Sequence, residues 1–477
     1  MTAEWPLVRL GDLASIKHGF AFKGEFFSEE PTENFLVTPG NFAVGGGFKL
    51  DKVKYYDGPV PDEYKLRSGD LIVTMTDLSK KGDTLGYSGL VPYDPRYQFL
   101  HNQRIGLVCI HSKCLDKYFL YFLMRTNEYR NHVLGSATGS TVKHTSPSKI
   151  AAYEFRLPPL SIQSQIGETL MSLERKIELN QDVNKTLEQI AQAFFKSWFV
   201  DFEPVKAKVA ALEAGCTAED AERVAMQAMS GKSEAELDVL RTQSSDQYDN
   251  LACTAALFPS AMVESELGEI PEGWDVGSVS DIATLETQSV KPENAPDEVW
   301  EHYSIPAYDD GQYPTFDLGK EIKSNKYQVP DSAILVSKLN PRFPRTWWPL
   351  VINSKLSVCS TEFMPFVPVE EGLRGFVAGL VLSEPFQRGM LERVSGSTGS
   401  RQRAQPKEVK KMPVILPDRD LIEAFSKRVT PLFEKSAQNI KESRILSELR
   451  DTLLPRLLSG ELTVPEAEKQ TPEPTDV

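Results

Sequence analysis

Apolar side chains recur in two contrasting patterns along the chain, and each pattern occurs twice. Runs of consecutive apolar residues, at 71–73 and 334–336, are typical of buried β-strands. A different pattern begins at Ile166, where apolar residues and a few asparagines alternate at spacings of four and three. A 3.5-residue period sustained over about four heptads indicates a long helix that supercoils with a partner. The order predicted is globule, long helix, globule and long helix.

The two helical patterns share their polar positions. Asn180 and Asn439 occupy the same place in the two seams, and Arg450 interrupts the second seam. A buried asparagine lowers the stability of an apolar seam but fixes its register, because any slip leaves the amide unpaired. The residues predicted to pair the helices are Ile166, Leu170, Leu173, Ile177, Asn180, Leu187, Phe194, Phe425, Val429, Leu432, Asn439, Leu446 and Leu453.

The globular segments also repeat each other. Trp5 corresponds to Trp274, and Thr-Gly-Ser ends each copy, at 138–140 and at 398–400. We expect both tryptophans and both apolar runs to lie in the core. The predicted fold class is α+β, with two similar mixed α/β domains separated by two long antiparallel coiled-coil helices and a pseudo-twofold internal repeat. The predicted boundaries are 1–157 and 272–417 for the globules, 158–203 and 418–462 for the helices, 204–271 for a connector, and 463–477 for a disordered tail.

The connector carries two helix-start signals. Thr217 with Asp220, and Ser233 with Glu236, have the spacing of capping boxes. They predict two short helices. We interpret this segment as a solvated connector, with docking of a partner as the alternative.

Composition narrows the class of protein. With 477 residues the chain allows about three compact units, and its 40% apolar and 25% charged residues are typical of a soluble globular protein. No apolar run approaches the roughly 18 residues that cross a bilayer, and the N-terminus does not resemble a secretory signal. Five cysteines indicate reduced thiols in the cytoplasm. Cys109 and Cys114 lack metal-ligand spacing, so we expect no metal.

The net charge of −14 is unevenly distributed. Residues 158–271 hold 9 basic and 19 acidic side chains, whereas residues 1–157 hold 19 and 17. The globules are therefore close to neutral and able to present local basic patches. A nucleic-acid partner is compatible with this distribution.

Sequence motifs of catalysis are weak. The chain has no P-loop, no Gly-x-Gly-x-x-Gly after a strand and no His-Glu-x-x-His. Asn340-Pro341-Arg342-Phe343 is similar to the Asn-Pro-Pro-aromatic motif of aminomethyltransferases, but arginine replaces the second proline. We interpret this stretch as a DNA-facing or structural loop.

Two similar globules held apart by paired helices suit recognition of two DNA half-sites at a fixed spacing. Loops rich in backbone N–H groups, hydroxyls and cations bind phosphate, while Asn, Gln and Arg read base edges. Each cation has solvent exposure as its alternative role, as does His144. The candidate DNA contacts are Lys80, Lys81, Thr138, Gly139, Ser140, Lys143, His144, Lys338, Asn340, Arg342, Arg345, Thr398, Gly399, Ser400, Arg401, Gln402 and Arg403.

Four stretches resemble one known family. They are Leu157-Pro-Pro-Leu-Ser-Ile-Gln-Ser-Gln-Ile166, Ser197-Trp-Phe-Val-Asp-Phe-Glu-Pro204, Glu264-Ser-Glu-Leu-Gly-Glu-Ile-Pro-Glu-Gly-Trp274 and Leu453-Leu-Pro-Arg-Leu-Leu-Ser-Gly-Glu461. With them the chain resembles the specificity subunit of a type I restriction-modification system, over residues 4 to about 462. The second copy departs from the pattern at Leu-Pro-Asp-Arg-Asp420, which lacks the glutamine that begins the first helix.

The resemblance implies a function without catalysis by this chain. Each globule would be a target recognition domain for one part of a split, asymmetric DNA sequence, and the helices would set the spacing. Two adenine-N6 methyltransferase subunits, and through them ATP-driven restriction subunits, would be the partners. S-adenosylmethionine, ATP and Mg²⁺ would bind to those partners. The alternatives are a coiled-coil adaptor and a standalone DNA methyltransferase or nuclease.

Overall fold

The computed structural model describes residues 5–50, 52–77, 79, 82–140, 142–395 and 402–465 of the chain. It divides into two compact units, one of Met1–Ile177 with Ile445–Val477 and one of Glu178–Arg444. Each unit contains one globule and a part of each long helix. Most of the segment predicted to be a disordered tail, residues 466–477, lies outside the described residues.

The first unit begins with a globule of short strands and short helices. Its strands are β1 (Leu7–Arg9), β2 (Ala14–His18), β3 (Phe27–Ser28), β4 (Asn34–Val37), β5 (Tyr55–Tyr56), β6 (Leu71–Thr74), β7 (Thr76–Asp77), β8 (Ser88–Leu90), β9 (Gln98–His101), β10 (Ile105–Ile110), β11 (Lys143–His144) and β12 (Glu154–Arg156). Its helices are α1 (Lys117–Leu123), α2 (Asn127–Ser136), α3 (Pro147–Ala151) and the first part of α4 (Leu160–Phe199).

Two four-stranded sheets form this first globule. One has the order β2-β10-β6-β8, and the other has the order β3-β5-β4-β9 with β4 and β9 parallel. All four residues of β6 are buried, which explains its continuous apolar run, because both faces of the strand are covered. Strand β1 pairs with β12, so the beginning of the globule is hydrogen-bonded to its end.

The second unit contains the remaining elements. Its helices are α5 (Glu203–Glu213), α6 (Ala218–Ser230), α7 (Glu234–Gln243), α8 (Ser245–Ala256), α9 (Val279–Ile282), α10 (Ile305–Asp309), α11 (Arg374–Leu382), α12 (Glu384–Glu392), α13 (Pro406–Val409) and most of α14 (Arg419–Leu458). Its strands are β13 (Met262–Ser265), β14 (Gly268–Pro271), β15 (Asp275–Ser278), β16 (Ala283–Leu285), β17 (Ser289–Val290), β18 (Val299–Tyr303), β19 (Thr315–Leu318), β20 (Lys326–Gln328), β21 (Ile334–Ser337), β22 (Thr346–Trp347), β23 (Ser357–Cys359), β24 (Phe363–Pro368), β25 (Val394–Ser395), β26 (Arg403–Ala404) and β27 (Pro413–Leu416).

The second globule repeats the internal topology of the first. The sheet β16-β24-β21-β22 corresponds to β2-β10-β6-β8, and its strand β21 is again fully buried. A second sheet contains a parallel pair, β18 with β23, as the first globule does. Strand β15 pairs with β27 and so joins the beginning of this globule to its end. The prediction of two mixed α/β globules built on one plan, together with two long helices, is confirmed.

Both repeated tryptophans are buried, as the sequence predicted. Trp274 belongs to the large apolar core of the second unit. Trp5 packs in the first unit beside Gly460, where an added Cβ would lie 2.9 Å from the indole ring. The end of the chain's last helix is therefore fitted to the residue that starts the first globule.

The connector differs from the prediction in two respects. It forms four helices rather than two, because α5 and α8 begin without a side-chain cap that could be recognised, whereas α6 and α7 have both predicted capping boxes. It is also not a solvated segment. Val205, Met226, Met229 and Leu251 are buried in the core of the second unit, so the apolar faces of these helices pack as part of the globular fold.

No helix in the described part of the chain is long and apolar enough to cross a membrane. The same residues include no group of three or more His, Cys, Asp and Glu side chains placed to hold a metal ion.

Candidate nucleic-acid interface and helix pair

One buried carboxylate organises the loop that follows β6 in the first globule. Asp77 accepts hydrogen bonds from the N–H of Ser79 at 2.6 Å, from the Thr84 hydroxyl at 2.8 Å and from the N–H of Leu85 at 3.1 Å. Burial by itself would raise the pKa of Asp77, but these hydrogen bonds outweigh it and hold the pKa below its usual value. The carboxylate therefore stays ionised at neutral pH and holds Ser79, Thr84 and Leu85 around it.

The first Thr-Gly-Ser sequence forms the tip of a tight hairpin. The N–H of Thr138 donates to the carbonyl of His144 at 3.0 Å, and the N–H of His144 donates back at 2.8 Å. Gly139 has a φ of +97°, and a Cβ there would lie 2.0 Å from the carbonyl oxygen of Val142. The turn thus requires glycine. Thr138, Gly139 and Ser140 are all exposed.

Pairing of strands joins this hairpin to the loop after β6. Strand β11 pairs with β7, which places Lys143 opposite Asp77 and His144 opposite Thr76. The hydroxyl of Thr76 lies 3.1 Å from Nδ1 of His144. Two loops that are far apart in the sequence, both predicted to contact DNA, are therefore neighbours. Lys80 and Lys81, predicted contacts in the first of these loops, lie outside the described residues.

The second globule brings its two corresponding loops together in the same way. Leu339 pairs with Arg403, and the N–H of Asn340 donates to the carbonyl of Gln402 at 2.9 Å. The N–H of Ala404 donates to the carbonyl of Lys338 at 3.0 Å. Leu339 follows the first residue of β21 by five positions, as Thr76 follows the first residue of β6. Thr398, Gly399, Ser400 and Arg401, also predicted contacts, lie outside the described residues.

The predicted arginines of the second globule differ in what holds them. Arg345 binds Asp309 through two hydrogen bonds of 2.6 and 3.0 Å. Arg403 binds Glu362 at 2.8 and 2.9 Å. Hydrogen bonds to these carboxylates raise the pKa of both guanidinium groups. Arg342, in contrast, is exposed near the tip of its loop. Arg345 and Arg403 are therefore held by carboxylates within the globule, whereas the Arg342 side chain faces solvent.

Several residues that shape these loops were missed in the sequence. Asp309 and Glu362 hold the two arginines, and Arg130 donates to the carbonyls of Gly82 and Leu85 while its guanidinium lies 4.1 Å from the centre of the Tyr87 ring. Asp77 had a usable signal, because an aspartate two residues before a serine favours a local turn. The other residues act over long sequence separations and carry no local signal.

A buried glutamine attaches the start of α4 to the first globule. Gln163 is fully buried; it accepts from the N–H of Asp116 at 2.9 Å and donates to the carbonyl of Cys114 at 2.9 Å. The Asp116 side chain in turn accepts from the first turn of α1, from the N–H groups of Tyr118 and Phe119. This network explains the glutamine in the motif that opens the central helix.

The second globule anchors α14 with different side chains. Ile422 is buried near the start of the helix, where a glutamine would correspond to Gln163. One turn later, the buried Ser426 accepts from the N–H of Phe376 at 3.0 Å, near the start of α11. In the second copy, the buried Ile422 and the hydroxyl of Ser426 therefore take the place of the hydrogen-bond network of Gln163.

In the first unit the paired helices enclose a buried ionic group. Glu174 accepts from Arg125 at 3.0 Å and from Arg450 at 2.8 Å, and from the hydroxyl of Tyr121 at 3.2 Å. Burial alone would raise the pKa of Glu174, but the two cations outweigh it and lower the pKa. Arg450 interrupts the apolar seam, and its charge is balanced there by Glu174. The predicted seam residues that are buried in the core of this unit are Ile166, Leu170, Leu173, Ile177, Leu446 and Leu453.

The three consecutive glycines at 45–47 make room for this ionic group. Arg125 Nε donates to the carbonyl of Gly45 at 2.8 Å. Gly46 has a φ of +93°, and a Cβ there would lie 2.6 Å from Cγ of Arg125. The three glycines therefore form a turn and also leave space for the buried Arg125 guanidinium; we call them the glycine cradle.

In the second unit, asparagine side chains form hydrogen bonds between α4 and α14. Asn180 donates to Oε2 of Glu442 at 2.8 Å and to the Ser443 hydroxyl at 3.2 Å. Asn439 donates to the side-chain oxygen of Asn184 at 2.9 Å. The order of these partners shows that the two helices run antiparallel here. Asn180 matches Asn439 and Asn184 matches Ser443 in the repeat, so exchanging the helices preserves the pattern.

The apolar seam shifts by one residue farther along the second unit. Phe425 and Val429 are buried, but Leu187, Phe194 and Leu432 are only half-buried. Phe195 and Phe433 are buried instead, since Phe195 packs on Phe376 and Phe433 stacks on Trp348. The neighbouring globule thus selects the buried face, which the repeat alone does not determine.

The chain contains two mixed globules built on one plan. Each globule has a joined pair of polar loops and is attached to the long helices. These features together define a class of internally duplicated recognition proteins. The family model for the type I restriction modification DNA specificity domain matches residues 2–189. The HindI specificity subunit of Haemophilus influenzae, a type I restriction enzyme subunit, is 33% identical over 408 residues, which cover 80% of this chain and 87% of that relative. The chain belongs to the family of type I restriction enzyme specificity subunits.

Two further likenesses agree with this membership. The type I restriction enzyme MjaIX specificity subunit of Methanocaldococcus jannaschii is 23% identical over 356 residues, covering 73% of this chain and 69% of the relative. The crystal structure of the type I restriction-modification S subunit from M. genitalium covers 95% of this chain and 96% of its own, at a TM-score of 0.50 and 16% identity. That structural likeness supports the fold alone.

Proposed function

We propose that this chain is the DNA-reading subunit of a type I restriction-modification complex and has no catalytic activity of its own. Each globule reads one half of a split, asymmetric sequence. One observation carries the proposal: in both globules, the residue five positions after the start of the buried central strand pairs with a residue three or four positions beyond the Thr-Gly-Ser sequence, Thr76 with His144 and Leu339 with Arg403. Two joined loops per globule present backbone N–H groups, hydroxyls and cations together.

The side chains in these loops have complementary roles in the proposal. Lys143 and Arg342 contact phosphates, while His144 and Gln402 contact base edges. Arg345 and Arg403, which are bound to carboxylates, position the loops. Phosphate contacts give affinity that falls with salt, and the contacts to bases discriminate between sequences.

The long helices supply the second part of the proposed function. A 40-residue helix is about 60 Å long at 1.5 Å per residue, and a pair of them sets the gap between the half-sites. We further propose that the exposed flanks of the helices dock two methyltransferase subunits, through which restriction subunits join. S-adenosylmethionine, ATP and Mg²⁺ belong to those partners. The complex acts on chromosomal and incoming DNA in the cytoplasm.

Mapping of N6-methyladenine across the host genome, with and without this chain, tests the proposal. The expected result is loss of methylation at one split, asymmetric motif when the chain is removed. A chain with Lys143→Ala and Arg342→Ala should restore methylation only partly, whereas Glu154→Gln, an exposed change on β12 away from these loops and from the long helices, should restore it fully. If no motif depends on the chain, the proposal is wrong. Methyl transfer by the purified chain alone would also contradict it.

A further inference from the structure

The loop of residues 338–345 carries an aromatic ring that phosphate binding does not use. The Phe343 side chain is 67% exposed, and its neighbour Arg342 is exposed as well. Removing a phenyl ring from water onto an apolar surface is favourable. In a loop that meets DNA, the apolar surfaces within reach are the faces of the bases.

The backbone that carries this ring is held in a defined conformation. Pro341 and Pro344 flank it in sequence, and the N–H of Phe343 donates to the carbonyl of Asn340 at 2.9 Å. Arg345 donates to the Phe343 carbonyl at 3.5 Å while it is bound to Asp309. A loop whose backbone is already ordered before binding loses little backbone freedom on binding.

The backbone conformation of Asn340 is a second observation that indicates a functional role for this turn. Its φ of +48° lies in the left-handed region, which is unfavourable for a residue other than glycine and persists only where the surroundings fix it. The surroundings here are the hydrogen bond from its N–H to Gln402 and the turn to Phe343. Such conformations concentrate at functional sites.

We infer that Phe343 inserts between two stacked base pairs of the half-site read by the second globule. Apolar side chains that enter a base step unstack it partly and kink the duplex. Arg342, next to the ring, would bind the adjacent phosphate and hold the opened step. The inference rests on the proposed function, because it takes duplex DNA as the ligand.

The first globule provides a contrast within the same chain. Its corresponding segment, residues 75–87 between β6 and β8, contains one aromatic residue, Tyr87. The Tyr87 ring is half-buried and lies against the Arg130 guanidinium, and Leu85 is fully buried. Distortion of the DNA is therefore expected in one half-site only. The specificity of the second half-site would then depend partly on how easily its central step opens.

Fluorescence of 2-aminopurine, which rises when this base is unstacked, tests the inference. The full-length chain, in the complex in which it is purified, is bound to duplexes that contain its mapped site with the probe at successive positions. We expect a rise at one step of one half-site. Phe343→Ala should abolish the rise and weaken binding roughly 5- to 100-fold, and Phe343→Trp should retain both.

A matched variant separates insertion from a general loss of apolar surface. Phe316, 46% exposed on β19 of the same globule, is changed to alanine and should leave the rise and the affinity unchanged. An equal rise in Phe343→Ala and in the native chain, or no rise anywhere in the bound native complex, would overturn the inference but not the proposed function. Absence of any sequence-specific DNA binding would overturn both.

Discussion

Replacement of Glu174 by glutamine should destabilise the first unit strongly. The change keeps the shape of the side chain but removes the negative charge between Arg125 and Arg450, whose side chains are 4% and 14% exposed. Loss of one partner from a buried ion pair costs about 3–5 kcal/mol, because the remaining charge stays buried. Since the glutamine can still accept one hydrogen bond, we expect the lower limit, about 3 kcal/mol.

Urea unfolding measures this cost. With a denaturant dependence of about 2–3 kcal/mol per molar urea, typical of a unit of this size, the midpoint should fall by about 1–1.5 M. Hydrogen–deuterium exchange should assign the loss to peptides of the first unit. The control is Glu168→Gln on the same helix, an exposed position, which should change stability by less than about 0.5 kcal/mol.

The effect should depend on pH in a defined sense. Because the pKa of Glu174 is lowered in the folded chain, its stabilisation is complete above the unfolded pKa of about 4.3 and is lost as the pH falls below that value. The difference between the native chain and Glu174→Gln should therefore be constant from about pH 5 to 8 and shrink in more acidic solution. A cost below about 1 kcal/mol at pH 7 would refute the reasoning.

Three further predictions concern the seam, the glycine cradle and the loops. Asn180→Leu should lower the free energy of unfolding by about 1–3 kcal/mol, because it strands the polar partners across the seam, and urea unfolding measures this; no loss would contradict the register role. Gly46→Ala should lower the melting temperature, since its Cβ would collide with Arg125, while Gly135→Ala, in open space, should not. Lys143→Ala should reduce the slope of log affinity against log salt by about 0.9 without affecting melting; an unchanged slope would remove this loop from the DNA contact.

The fold was largely accessible from the sequence because its signals are periodic and repeated. The alternation of four and three residues extends over most of the 40 residues of α4 and of α14, and the runs at 71–73 and 334–336 are buried strands in equivalent sheets. Repetition strengthened each signal, because a pattern found in one copy could be checked in the other. The connector lacked this support, and two of its four helices were missed.

The candidate interface was accessible only in part. Sequence could mark loops rich in cations, but it could not show that they are neighbours, since β7 and β11 pair across more than 60 intervening residues. Nor could it separate Arg342 from Arg345, because the difference lies in Asp309, a carboxylate that the fold brings in from α10. The buried ionic group could not be predicted for the same reason: in the sequence Arg450 interrupts the apolar seam, and its partner Glu174 lies on the other long helix.

The composition of the first unit from both ends of the chain has a consequence for biosynthesis. Residues up to Ile177 leave the ribosome early, but their core also requires Leu446, Leu453 and Leu457 from the last helix. Translation proceeds at about 5–20 residues per second. The apolar face of the first part of α4 therefore stays uncovered while the entire second unit is translated. The second unit is contiguous and can complete itself first. Nascent chains should therefore engage chaperones chiefly through the N-terminal segment, and release should coincide with the arrival of the C-terminal helix.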